Sequence, residues 1–154
     1  MDKFKELEFK VKELEIEIEK LKEKKDNKPW KPKYGVQYWY VNHSNGVLST
    51  YWLDNAVDKM RYDLGNVFST REKAEFYKEQ LKVEAALKRF ARPFVVNEDN
   101  YSIVFKHGLN TIRIWNSTTW QHDNIYFSTV EIAQKAIDTV GEERIKKYYF
   151  GVIN

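Results

Sequence analysis

A seven-residue pattern, FSTxExA, occurs twice in this chain, at residues 68–74 and again at residues 127–133. In each copy a Ser lies three residues before a Glu. This spacing is typical of a capping box, in which the two side chains bond the free amides at the start of a helix. The pattern therefore predicts two strand-to-helix junctions. The predicted capping pairs are Ser69 with Glu72 and Ser128 with Glu131.

A β-hairpin is predicted upstream of each copy. In the first unit, segments 36–42 and 47–53 are rich in aromatic and β-branched residues, and they flank Asn45-Gly46. Asn-Gly is the dipeptide preferred in tight hairpin turns. The second unit has the corresponding segments 101–106 and 109–115 around His107-Gly108. Two units of hairpin, short strand and helix predict an α+β fold.

The first 26 residues consist almost entirely of Lys, Glu and aliphatic residues. Their apolar side chains recur with the 3,4 spacing of a coiled coil, which predicts one long helix. The members of this series are Phe4, Leu7, Val11, Leu14, Ile18 and Leu21. Phe9 and Ile16 form a second, shorter stripe. Both a homodimer through this helix and docking of the helix onto the rest of the chain are compatible with the pattern.

These patterns and two helix-ending Pro residues divide the chain into three predicted segments. Pro29 ends the first helix, since the residue before a Pro avoids the helical region, and Pro93 ends the helix of the first unit. The predicted domains are a coiled-coil-like helix at residues 1–27, a first unit at 28–96 and a second unit at 97–154. Asn27 is predicted to cap the end of the N-terminal helix. Within the first unit, residues 54–63 are predicted to be a polar loop.

The helices of the two units are predicted to bury wide apolar faces. The first helix carries two apolar stripes, Ala74-Tyr77-Leu81-Ala85 and Phe76-Val83-Leu87-Phe90. The second helix ends at Gly141, which suits a left-handed position after a helix. A further short helix at residues 142–149 is predicted to direct Ile145 and Tyr148 toward the core.

The composition predicts a soluble, cytoplasmic protein. The chain has no Cys, and no segment approaches the roughly 20 apolar residues that span a bilayer. The formal net charge is only +3, with Lys and Glu interleaved, so charge alone indicates neither a DNA mimic nor a nucleic-acid-binding protein.

The motifs of common enzyme classes are missing from the sequence. None of the 6 Gly residues falls in a phosphate-binding spacing, and no GxSxG or HExxH motif is present. The three His residues, His43, His107 and His122, lie near predicted turns. The best catalytic or metal candidate is the acidic set Asp54, Asp58 and Asp63, but Lys59 and Arg61 between them favour a solvated loop. We therefore predict a non-enzyme without a cofactor or metal.

Aromatic residues are the strongest sign of a binding function, since they make up 16% of the chain and are enriched at recognition surfaces. We predict that one member of each adjacent pair is buried and the other is free for a partner, because neighbours on a strand point to opposite faces. The candidate binding residues are Trp39, Tyr40, Tyr51, Trp52, Trp115 and Trp120.

Two basic clusters keep nucleic acid open as an alternative partner. Cations alternate with aromatics in the segment WKPKY and gather again at the end of the first unit's helix. Such mixtures suit base stacking combined with phosphate neutralisation. The residues concerned are Lys31, Lys33, Lys88, Arg89 and Arg92.

Several blocks of the sequence together resemble a group of small phage and prophage proteins from Gram-positive bacteria. These blocks are WKPKYGVQYWYV, YWLDN, RYDLGNVFSTREKAEFYKEQLKVEAALKRFA and YFSTVEIAQKAIDTVGEERIKKYYFGV. The group carries a short N-terminal coiled helix before a WKPxxGxxYWYI block, and it offers no catalytic residues to transfer. Val36 stands where an acidic residue is usual in the group.

The resemblance implies a phage accessory protein that acts in the cytoplasm of an infected or lysogenic bacterium. Such proteins often bind and disable a host component. By analogy, we expect a non-enzymatic, anti-CRISPR-like inhibitor of a bacterial defence effector that binds through exposed aromatics. The alternatives are a protein that sequesters nucleic acid or a nucleotide signal, and a structural oligomer built on the N-terminal helix.

Overall fold

The structure is a computed structural model that describes residues 2–26, 29–44 and 46–153. Asn27, the expected helix cap, and Asn45, half of the predicted turn, lie outside these residues. The chain forms an α+β fold of one long helix followed by two antiparallel hairpins with their helices, as the sequence predicts. None of the described helices is long and apolar enough to cross a membrane.

Apart from one additional helix in the first unit, the helices and strands follow one another in the predicted order. The N-terminal helix is α1 (Lys3–Asp26), and the first unit contains β1 (Gln37–Val41), β2 (Val47–Tyr51), α2 (Ala56–Asp63) and α3 (Arg71–Lys88). The second unit contains β3 (Tyr101–Lys106), a 3-10 turn (His107–Leu109), β4 (Thr111–Asn116) and α4 (Val130–Val140). After Gly141, which has a φ of 97°, the chain forms α5 (Glu142–Arg144) and a π-helical turn (Ile145–Tyr149).

The Phe that opens each FSTxExA copy pairs with the preceding hairpin. The Phe68 and Trp39 backbones exchange two hydrogen bonds, both of 2.9 Å. The Phe127 and Tyr101 backbones do the same at 2.7 and 3.0 Å. Each copy therefore joins a β-bridge to a helix, so the predicted helix start is confirmed, whereas the predicted short strand is only a single bridged residue.

The caps at these junctions differ from the prediction. The N-caps are Thr70 and Thr129, whose hydroxyls accept hydrogen bonds from the amides of Lys73 and Ile132 at 3.3 and 3.1 Å. The helices thus begin one residue later than the Ser would dictate. Glu72 and Glu131 consequently fall at the second helical position rather than the third, where a capping box requires them. The prediction that Ser69 and Ser128 are caps is wrong.

Residues 56–63 form helix α2, so the prediction of a polar loop there is also wrong. Its N-terminus carries a true capping box, because the Asn55 side chain accepts from the Asp58 amide and the Asp58 carboxylate accepts from the Asn55 amide. The chain enters this helix through Asp54, which has a left-handed φ of 57°. Local side-chain bonds thus turn a polar stretch into a helix.

The aliphatic core lies between α3, the second hairpin, α4 and the π-helical turn. From α3 it takes Val83 and Leu87, whereas Leu81 and Ala85 of the other predicted stripe are exposed. The second unit supplies Ile103, Ile112, Ile125, Phe127, Ala133, Ala136, Ile137, Val140 and Ile145. Tyr148 is half-buried against this core, as expected. Because α3 belongs to the first unit in sequence, the two units share one core.

Candidate protein-binding surface

The first hairpin buries one aromatic face. Tyr38 and Trp52 are almost completely buried, with ring centroids 6.0 Å apart in an edge-to-face arrangement. The strand register places Trp39 opposite Ser49 and Gln37 opposite Tyr51, which puts Trp39 and Tyr51 on the other face. Tyr51 is 58% exposed there.

The alternation prediction holds for one of the two pairs in this hairpin. In the pair Tyr51 and Trp52, the first is exposed and the second is buried, as expected. In the pair Trp39 and Tyr40, both side chains are half-buried, so the prediction is wrong there. The fully covered position in β1 is Tyr38. Tyr40 shares the face of Tyr38 but is covered mainly by the Arg61 guanidinium, 3.7 Å from its ring centre.

A polar network joins helix α2 to the buried face of this hairpin. The Tyr38 hydroxyl donates to the Asp58 carboxylate at 2.7 Å and accepts from the Arg61 guanidinium at 2.9 Å. The second carboxylate oxygen accepts from the backbone amide of Leu53 at 2.8 Å. Lys31 lies over the rings of Trp52 and Tyr62, at 5.3 and 5.2 Å. The network therefore ties a strand, a helix and the preceding linker together.

Both titratable partners in this network have shifted pKa values. Burial raises the pKa of Tyr38 above its ordinary value, against the opposing effect of Arg61. Burial by itself would also raise the pKa of Asp58. The hydrogen bonds from Tyr38 and from the backbone outweigh it, and with the Arg61 charge they lower the pKa of the carboxyl below its ordinary value. Asp58 is therefore a buried, satisfied carboxylate whose role is structural.

The acidic set from the sequence does not converge. Asp54 pairs with Lys59 at 3.6 Å, Asp58 is only 2% exposed, and Asp63 is exposed at the end of α2. Among the described residues, no group of three or more His, Asp or Glu side chains is placed to hold a metal ion. His43 and His107 are exposed, and His122 pairs with Asp123 at 2.8 Å.

Helix α2 and its C-cap residue also expose an apolar stripe that was not predicted. Val57, Met60 and Leu64 follow one another at helical spacing, and all three are exposed. Two signals in the sequence point to this helix: the Asn55-x-x-Asp58 capping pattern and the i, i+3, i+7 spacing of these residues. Both were obscured by the acidic and basic residues between them.

The outer face of the second hairpin carries an exposed Trp beside a groove. The register places Trp115 opposite Ser102, on the face away from Ile103 and Ile112, and its side chain is 56% exposed. The Lys106 ammonium lies 5.1 Å from the Trp115 ring. The groove has a volume of about 350 Å³. It is lined by Val104, Phe105, Lys106, Trp115, Ser117, Thr118, Thr119 and Gln121.

A second exposed Trp, Trp120, lies in the segment that follows β4. Its side chain is 59% exposed and lies 6.1 Å from the ring of His122. The neighbouring segment is anchored, because the Gln121 amide donates to the hydroxyl of the buried Tyr126 at 2.7 Å. Trp120 itself does not line the groove, but its chain neighbours Thr119 and Gln121 do. We call Trp115, Trp120 and the groove lining the outer surface.

Several of the predicted basic contacts are used within the protein. Arg92 donates to the Asn100 side chain at 2.9 Å and to the Asp99 carbonyl at 2.6 Å, so its guanidinium holds the loop before β3. Lys88 pairs with Glu84 along α3. Lys31 lies over two rings, as described above, whereas Lys33 and Arg89 are exposed.

Arg89 lines a second, open groove of about 520 Å³ between α3 and the turn end of the first hairpin. Three more cations line this groove, namely Lys78, Lys82 and Arg144. Acidic residues of α3 partly neutralise them, since Glu75 pairs with Lys78 at 2.8 Å, and Glu79 pairs with Lys82 at 3.3 Å and with Arg144 at 3.2 Å. The groove therefore has a weaker positive field than its Lys and Arg content implies.

Comparison of the chain with protein families, with curated proteins and with solved structures finds no match.

Proposed function

We propose that this chain is a non-catalytic binding protein that acts by protein–protein contact, with the outer surface of the second hairpin at the centre of that contact. The observation that carries the proposal is the exposure of Trp115, which lines a groove, and of Trp120, which lies in the chain between two residues that line it. Trp is enriched at the energetic centres of interfaces, where a large ring fills a pocket on the partner.

The chemistry around these rings supports a protein partner. The polar side chains that line the groove are those of Ser117, Thr118, Thr119 and Gln121, which resemble the polar rim around the apolar centre of an interface. Among the described residues, Lys106 is the one cation in this lining, and Arg113 is a second exposed cation on the same face of the hairpin. Two cations beside an exposed Trp and four uncharged polar side chains are fewer than phosphate binding usually requires, so the surface fits a folded protein better than it fits a nucleic-acid backbone.

The target class in this proposal comes from the sequence resemblance to small phage proteins. We propose that the partner is a bacterial defence effector, for which an anti-CRISPR-like inhibitor is the model. The protein would then inhibit by occupying a surface of the effector, in the cytoplasm of an infected or lysogenic cell.

Affinity capture from a bacterial lysate tests this function. The bait is the full chain, compared with Trp115→Ala and Trp120→Ala, and with Tyr34→Ala as the matched control. Tyr34 is 76% exposed and lies in the linker before the first hairpin. We expect one defined protein to be retained by the parent and by the control, and at least one Trp variant to lose it. Inhibition of the captured protein's activity by the parent then tests the target class.

Two results would contradict the proposal. Equal retention by all four proteins would show that the outer surface is not the contact. A purified chain that carries nucleic acid or nucleotide, seen as excess absorbance at 260 nm, would favour sequestration instead. In that case, Arg89→Ala should release the bound material if the basic groove holds it.

A further inference from the structure

Helix α1 presents its whole apolar series to solvent. Every described side chain from Asp2 to Lys22 is exposed. The large apolar side chains of the helix are between 49% and 68% exposed. A soluble chain rarely leaves an apolar stripe of this length uncovered unless a partner covers it.

The residues along this stripe are those of a two-stranded parallel coiled coil. With Phe4 taken as position a of the heptad, Val11 and Ile18 also fall at a, and the d positions are all Leu. Those d residues are Leu7, Leu14 and Leu21. Two of the three a residues, Val11 and Ile18, are β-branched, and β-branched residues at a with Leu at d favour two parallel strands over three or four. Phe9 and Ile16 fall at the outer f position, so they lie outside this seam.

The charges that flank the seam select one orientation. In a parallel, in-register pair, each g residue faces the e residue of the next heptad on the other helix. Here Lys3 faces Glu8, Lys10 faces Glu15 and Glu17 faces Lys22, so all three contacts join opposite charges. In the antiparallel arrangement that matches a to d, Glu8 meets Glu15 across the e positions, but Lys10 meets Glu17 across the g positions. The antiparallel pair therefore combines repulsive and attractive contacts, whereas all three contacts of the parallel pair are attractive.

We propose that α1 is covered by α1 of a second copy of this chain, in a parallel, in-register, two-stranded coiled coil. Such a dimer places two globular parts at the same end of the coil and presents two outer surfaces to a partner, which raises avidity without any new contact. The inference rests on the α1 sequence and its exposure, independently of the function proposed above. Only three heptads are present, so the dimer should dissociate at low concentration.

Disulfide trapping tests the orientation directly, because the chain has no Cys of its own. In the full chain carrying Leu7→Cys, the two introduced thiols face each other in the parallel dimer and should form a disulfide in a glutathione redox buffer. In the antiparallel dimer, residue 7 of one chain lies opposite residue 18 of the other. The two introduced Cys residues are then about 16 Å apart along the axis, which is too far for a disulfide. Lys12→Cys, at an outer position, is the control for random collision.

A charge-reversal series tests the same arrangement without a covalent bond. Glu8→Lys with Glu15→Lys puts like charges across the parallel seam, and we expect dimer affinity in sedimentation equilibrium to fall by tenfold or more. Adding Lys3→Glu and Lys10→Glu to the same chain restores every contact and should restore the dimer. Glu6→Lys with Glu13→Lys makes the same change in net charge at outer positions and should have little effect.

Each other outcome overturns the proposal. A chain that stays monomeric up to about 100 μM, where a three-heptad coil of this kind is expected to associate, rules out the second copy as occupant. A trimer or tetramer rules out two strands. A dimer in which Leu7→Cys crosslinks no faster than Lys12→Cys rules out the parallel orientation.

Discussion

The two copies of the repeat have the same junction but cover their hairpins differently. In both, a Phe pairs with the hairpin and a Thr caps the following helix. In both, the hairpin residue that pairs with this Phe follows a buried residue whose polar side chain accepts a hydrogen bond from an Arg. Arg61 donates to Tyr38 at 2.9 Å in the first unit, and Arg92 donates to Asn100 at 2.9 Å in the second.

The difference lies in what packs on the buried face of each hairpin. The first hairpin is covered in part by α2, through aromatic rings and the network of Tyr38, Asp58 and Arg61. The second hairpin packs Ile103 and Ile112 into the shared aliphatic core. A sequence repeat can thus fix how a strand meets a helix without fixing how the hairpin is covered. Burial of apolar side chains holds the second hairpin in place, whereas hydrogen-bonded polar groups fix how the first hairpin is covered.

The largest expected effect distinguishes the two equivalent Phe residues. Phe127 is completely buried in the core, and Phe127→Ala should cost about 3–5 kcal/mol of the free energy of unfolding, since it leaves a cavity. Phe68 is half-buried against Tyr77, and Phe68→Ala should cost only about 2 kcal/mol. Urea denaturation of the two variants measures both values. Equal losses would contradict the assignment of the main core to the second unit.

The next effect concerns the polar network of the first unit. Asp58→Asn removes the carboxylate that accepts from Tyr38 and from the backbone, and it should cost about 1–3 kcal/mol at pH 7. Folding lowers the pKa of Asp58, so its contribution is present above the unfolded value of about 3.9 and is lost as the pH falls through the lower folded pKa. The stability curves of the parent and the variant should therefore converge at acid pH.

Asp63→Asn is the matched control for that experiment, because Asp63 is exposed on the same helix. Its curve should run parallel to that of the parent within about 0.5 kcal/mol. A constant gap between the parent and Asp58→Asn down to pH 2 would contradict the charged state assigned to Asp58.

The smallest effect lies at the shared junctions. Thr70→Ala and Thr129→Ala should each cost about 1 kcal/mol, a few degrees in melting temperature, because each removes a side-chain cap. Ser69→Ala and Ser128→Ala should change the melting temperature much less. Circular dichroism melts of the four variants decide between the adjacent residues. A larger shift for the Ser variants would return the cap to the Ser position.

The predictable features were those with strong local signals. The heptad series of α1, the strand segments and the repeat itself predicted the order of helices and strands apart from α2. The tight turn predicted at His107-Gly108 is wrong, because the turn includes Leu109 and the left-handed Asn110, and β4 begins only at Thr111. The repeat also located both junctions to within one residue. It could not separate Ser69 from Thr70, because both hydroxyls can cap and the choice depends on where the strand pairing at Phe68 ends.

The features that failed depend on contacts distant in sequence. Asp58 looked like part of a solvated loop because its partner Tyr38 lies 20 residues away. Trp39 and Tyr40 broke the expected alternation because Arg61 covers Tyr40, and the pairing with Phe68 flanks Trp39. Within the candidate site, the exposure of Trp115 follows from its strand register, but the groove beside it depends on the path of residues 117–121.

The outer faces of the two hairpins give the most direct test of the proposed function. The measurement is the dissociation constant of the captured partner for Trp115→Ala and Trp120→Ala in the second unit, against Trp39→Ala and Tyr51→Ala in the first. If the outer surface is the contact, at least one variant of the second unit should weaken binding about 30-fold, or roughly 2 kcal/mol, while both variants of the first stay within about threefold. A loss confined to Trp39→Ala or Tyr51→Ala would contradict this account.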